Sequence, residues 1–74
     1  MEFTKLSAPS LKDLFVRQIE DQIISGKLEI GTQLPPEREL AERMGVSRTV
    51  VNAGIAEMAG KGFLEIRPRV GTFV

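Results

Sequence analysis

At 74 residues the chain has room for one small domain and not for two. Hydrophobic residues make up 42% and charged residues 27%, a globular balance, and ten basic against ten acidic residues leave no net charge to name a partner. Cysteine and histidine are both absent, which removes disulfides, thiolate chemistry, the commonest general base and the commonest metal ligand. No enzyme, metal or cofactor is expected.

No apolar run approaches the ~20 residues of a membrane helix, and Glu2 spoils the basic start of a signal peptide. The expected location is the cytoplasm, with no membrane partner. A chain this short buries a modest core, which points to a piece of a longer protein or one half of a dimer. Charge is uneven along it: residues 1–37 carry four basic and six acidic groups, residues 38–74 six basic and four acidic. A face for a polyanion belongs in the second half.

Residues 1–9 read as a flexible lead-in closed by Pro9, and residues 10–74 as the domain. Ser10 with Asp13 three residues on is a capping box. Leu11, Leu14, Phe15, Ile19 and Ile23 then form an apolar stripe, and Ser25-Gly26 ends the helix. Residues 28–34 read as a short extended stretch bent at Gly31. Pro35-Pro36 blocks helix before it and starts a second, short helix over about 36–44, with Glu37 and Glu39 complementing its dipole. Gly45-Val46 breaks that helix, and Ser47 caps a third that runs to about residue 59. Residues 63–67 and 70–74 read as two strands joined at Pro68-Arg69. The expected core is Leu14, Phe15, Ile19, Ile23, Leu40, Met44, Val51, Ile55, Met58, Leu64 and Phe73. The fold class is α+β, mostly α: three helices and a small C-terminal hairpin.

The informative segment is 40–52, a helix, a tight turn at Gly45 and a longer helix. Ala41 is small enough for close helix approach, and Val51 can pack back on the first helix of the pair. Ser47, Arg48, Thr49 and Asn52 occupy the start of the third helix, the end that a recognition helix presents to the major groove. Arg48 can pair with guanine, Asn52 with adenine, and Ser47 with a phosphate. Arg67 and Arg69 stand at the hairpin tip, where a wing meets the DNA backbone or minor groove.

Five blocks in order resemble the DNA-binding domain of the GntR family of bacterial transcription regulators, a winged helix-turn-helix. They are Ile24-Ser25-Gly26-Lys27-Leu28; Gly31 with Leu34-Pro35; Glu37-Arg38-Glu39-Leu40-Ala41; Gly45-Val46-Ser47-Arg48-Thr49; and Gly71-Thr72-Phe73-Val74. The resemblance implies sequence-specific binding of a palindromic double-stranded operator by a homodimer. It also implies a C-terminal effector-binding or dimerisation domain that this chain lacks. Carried over by position, it assigns DNA contacts to Arg38, Arg48, Thr49 and the wing glycine Gly71.

This chain departs from the family pattern at Pro36, where a small polar cap is usual. It departs again at Asn52, where arginine is usual, at Ala53 and Gly54, usually glutamate and alanine, and at Arg69-Val70, usually glycine and a basic residue. Two alternatives stand beside the DNA reading: a winged-helix module that docks protein, and, for Arg38, a plain surface pair with Glu42. The carboxylate pairs Glu37/Glu39 and Glu20/Asp21 lack a third ligand and read as solvated helix faces. Gly54 inside a helix costs about 1 kcal/mol against alanine, with no reason for it visible in the sequence.

Overall fold

A computed structural model describes Glu2, Phe3 and residues 10–74. Apart from Glu2 and Phe3, the expected lead-in lies outside the described residues. The elements run α1 (Leu11–Ile24), α2 (Glu37–Met44), α3 (Arg48–Gly60), β1 (Glu65–Arg67) and β2 (Gly71–Phe73). This is a winged helix-turn-helix, as the fold reading expected.

Local chemistry sets the helix ends. The Ser10 hydroxyl accepts from the Asp13 amide at 3.1 Å, and the Asp13 carboxylate accepts from the Ser10 amide at 3.2 Å. Both halves of the capping box are therefore present. Hydrogen bonding to the carboxyl from the Ser10 backbone amide, and next from the Ser10 side chain, holds Asp13 below its ordinary range. Pro36 is the N-cap of α2 and supplies no side-chain bond. Gly45 then takes the left-handed conformation, φ 66° and ψ 33°, that turns α2 into α3. Ser47 caps α3 by accepting from the Val50 amide at 3.2 Å.

The core joins all three helices. Val51 and Met58 of α3 are fully buried, with Phe15, Val16 and Ile19 of α1, Leu40 and Ala41 of α2, and Leu34, Ile55 and Leu64 around them. Each large apolar side chain removed from water contributes about 1.5–3 kcal/mol. Ile23 and Met44 pack on this cluster while partly exposed.

Two core expectations need correction. Leu14 is 47% exposed and Leu11 58%, whereas Val16, absent from the expected stripe, is buried. Phe73 is only half-buried. The cause of the first is Gly54. A Cβ there would overlap the Phe15 ring, with Cε2 at 2.7 Å, and crowd Val16 Cγ2 at 3.3 Å. The bare backbone of α3 thus forms a notch for Phe15 and Val16, and α1 is turned about its axis to fill it. Leu11 and Leu14 rotate outward as a result.

An ionic clamp closes the same α1–α3 contact at its edge. Lys12 donates to Glu57 at 2.7 Å, and Lys61 approaches Glu57 at 3.4 Å and Glu20 at 3.5 Å. The hydrogen bond from Lys12 is the main reason that the Glu57 carboxyl is held below its ordinary range. Hydrogen bonds to Glu57 likewise raise both lysines above theirs.

The stretch 28–34 forms no full strand. It reaches β2 through a single bridge, Gln33 opposite Phe73, because residues 30 and 31 lie in a turn. Leu34 donates to the Thr72 carbonyl at 2.8 Å, Val74 to Thr32 at 2.9 Å and Gly31 to Val74 at 3.0 Å. β1 and β2 are antiparallel, with Glu65 opposite Phe73 and Arg67 opposite Gly71.

Gly54→Ala should destabilise the domain by about 1–2 kcal/mol in urea denaturation, since overpacking outweighs the gain in helix propensity. Adding Phe15→Leu should recover part of that loss; additive losses would show that the notch is not the cause. Glu57 has a depressed folded pKa, so its contribution is present above the ordinary value of 4.5 and disappears as pH falls through the folded value. Glu57→Gln should therefore flatten part of the acid limb of a stability–pH curve while leaving its shape near neutrality unchanged.

Candidate nucleic-acid interface

The core contacts of α3 leave one strip of it outside. Val51, Gly54, Ile55 and Met58 face inward, while Arg48, Thr49 and Asn52 are exposed. Residues 48 and 52 share a face because four residues are close to one helical turn. The helix start, with its free amides, lies at the same end.

A groove runs between this helix pair and the wing. Pro36, Glu37, Arg48, Arg67, Arg69 and Gly71 help to line it. It gathers four of the eight residues picked from sequence: Arg48, Arg67, Arg69 and Gly71. Arg38, Ser47, Thr49 and Asn52 lie outside its lining, although all four are exposed. Arg48 and Arg69 pair with no carboxylate among the described residues. Two unpaired guanidinium groups thus line the groove, with Glu37 as the acidic residue of its lining.

The other sites have partners within the fold. Arg38 lies 3.7 Å from Glu42 one turn on, but both side chains are over 70% exposed, so the pair is weak and readily exchanged. Arg67 donates to Glu65 at 3.1 Å and stacks over the Phe73 ring, 4.7 Å from its centroid. Its guanidinium is held in place on the wing. The Ser47 oxygen is used as a cap, which leaves its hydroxyl hydrogen as a donor.

Glu37 and Gln33, which sequence reasoning did not connect to the site, complete it. Asn52 donates through Nδ2 to Glu37 Oε1 at 3.1 Å, tying α3 to the first residue of α2 across 15 positions. Gln33 donates through Nε2 to the Val70 carbonyl at 3.0 Å, bracing the wing turn. Gly71 has φ 146°, and a Cβ there would overlap the Gln33 amide, with Cδ at 3.3 Å. The Gln33 side chain could give way, so it is the φ of Gly71 that favours glycine there. No local spacing rule links such distant pairs; only the assembled fold does.

Residues 12–74 match the family described as "Bacterial regulatory proteins, gntR family". The chain belongs to the GntR family.

Among GntR relatives, it is 45% identical over 56 residues to the uncharacterized HTH-type transcriptional regulator Rv0494 of Mycobacterium tuberculosis. That match covers 76% of this chain and 23% of that protein. It is 43% identical over 56 residues to the Uxu operon transcriptional regulator of Escherichia coli K12, covering 76% and 22% respectively. The chain therefore spans about a quarter of the length of such relatives. Among solved structures it is similar to the DNA-binding domain of AraR in complex with operator ORX1, with TM-score 0.86 and 28% identity. The match covers all of this chain and 92% of that one.

The GntR departures now have structural settings. Gly54 is the α1 notch, and Asn52 is bonded to Glu37. Arg69 has φ 66°, a left-handed conformation that costs a residue with a Cβ about 1–2 kcal/mol. Val70 donates back to the Arg67 carbonyl at 3.1 Å, so Arg69 is the third residue of a reverse turn that favours glycine there. The chain places a long side chain where the turn favours glycine.

Arg69→Gly should raise stability by about 0.5–1 kcal/mol after the extra unfolded-state freedom of glycine is subtracted. Arg69→Ala should not. Thermal melts of the two variants check this, and equal midpoints would mean that the turn is unstrained.

Proposed function

We propose that this GntR domain binds operator DNA, with α3 in the major groove and the wing on the backbone or minor groove. The observation that carries the reading is the shared groove, where Arg48 of α3 meets Arg67 and Arg69 of the wing. The AraR domain whose structure matches is named in complex with operator, and relatives are named transcriptional regulators. The same groove disfavours docking of protein, since its lining holds no aromatic or methionine anchor.

Roles follow from chemistry and position. Arg38, Ser47, Arg67 and Arg69 set the register through phosphates, and Arg48, Thr49 and Asn52 meet base edges. Gly71 shapes the wing. A homodimer would set two recognition helices about 34 Å apart and favour a palindromic site. Dimerisation and effector binding belong to a further domain of the kind that longer relatives have room for, and action in the cytoplasm follows from the role. No helix among the described residues is long and apolar enough to cross a membrane, and no group of three or more metal-ligating side chains occurs among them.

Zero net charge implies that few phosphates are neutralised, so a single domain binds weakly and with a shallow salt slope. Fluorescence anisotropy with a labelled mixed-sequence duplex should show affinity falling as salt rises. Arg48→Ala should weaken binding several-fold, while Arg17→Ala, on the exposed side of α1, should not. Equal effects of the two variants would contradict the placement of the face.

A further inference from the structure

The hydrogen bond between Asn52 and Glu37 decides which way the Asn52 amide points. An ionised carboxylate can only accept, so the amide must turn its NH₂ group toward Glu37 and its Oδ1 away. Asn52 is exposed, so that oxygen is left open to a ligand. One turn earlier on the same face, Arg48 offers donors only. The exposed strip of α3 therefore displays donors at position 48 and, at position 52, a carboxylate-oriented acceptor beside the one amide N–H that Glu37 leaves unused.

Base edges in the major groove differ in what they offer such an acceptor. Adenine presents N6–H₂ and cytosine N4–H₂ as donors. Guanine presents only N7 and O6, both acceptors, and thymine an O4 acceptor and a methyl group. We propose that Glu37 and Asn52 act as one specificity element, which favours adenine or cytosine over guanine and thymine at one position of each half-site. Asn52 is the reading residue and Glu37 its positioning residue. This rests on the DNA-binding reading above.

The charge of Glu37 separates this role from a merely structural one. A carboxylate beside the groove repels phosphates and lowers affinity for every duplex alike, so its contribution is discrimination. Replacing it by glutamine keeps the shape and removes the charge. Glutamine can give or accept a hydrogen bond, so the Asn52 amide is then free to turn either way.

The test is selection from a random duplex library by the chain, by Glu37→Gln and by Asn52→Arg, with affinity for the unselected pool measured alongside. The parent should enrich sites in which one half-site position prefers adenine or cytosine by about fivefold or more, the lower end of what one good base contact gives. Glu37→Gln should lose that preference while binding the unselected pool more tightly. Asn52→Arg should move the same position to guanine. Unchanged preference in Glu37→Gln, or equal acceptance of all four bases by the parent, would overturn the pair alone. A parent that retains no duplex at low salt would overturn the DNA-binding reading, and the pair with it.

Discussion

The Phe15 ring rests on the bare backbone of Gly54, and that contact governs how α3 sits in the domain. Two helices can approach this closely only where one lacks a side chain, and the rest of the packing follows from the approach. It rotates α1 so that Val16 and Ile19 reach the core and Leu11 and Leu14 do not. It also commits the inner face of α3, Val51, Gly54, Ile55 and Met58, to burial. With that face spent, Arg48, Thr49 and Asn52 are left in water. The exposed strip is thus a consequence of packing rather than a separate feature.

The wing is positioned from a different direction. Residues 31–34 lie just before α2 and bond through backbone to β2 at Leu34 and to the following Val74 at Gly31 and Thr32, while Gln33 holds the turn at Val70. One short segment therefore fixes the wing and leads directly into the helix pair. This explains how a hairpin with strands of three residues can be held against the groove. Strands so short are not stable alone, and they need packing or an additional paired segment. Arg67 on Phe73 adds a side-chain tie within the hairpin.

Much of this was legible in the sequence because it rests on local chemistry. The Ser10 and Ser47 caps, the left-handed Gly45 and the breaks at Ser25 and Pro35-Pro36 each act within a few residues. The helix ends accordingly fall within one residue of expectation. Rotation of α1 was not legible, because Leu14 and Val16 are equally apolar and the choice depends on a glycine 38 positions beyond Val16. The strand expected at 28–34 reduced to one bridge because pairing depends on β2, not on its own composition. Of the site, the side chains of the helix start and wing were visible as residue types. The bond between Asn52 and Glu37 was not, since Glu37 read only as a charge on the dipole of its own helix. Gly54 looked like a defect until its neighbour across the core was known.

Packing leaves one exposed face, formed by the start of α3 and the wing, and the proposal is that this face meets DNA. Amide NMR titration of the chain with a short mixed-sequence duplex, at two salt concentrations, tests it most directly and tolerates weak binding. The predicted result is salt-sensitive shifts concentrated at Arg38, at residues 47–52 and at residues 69–72, with the exposed side of α1 around Leu14 and Gln18 unmoved. Shifts that centre on α1, or a recognition helix that stays unperturbed at low salt, would contradict it.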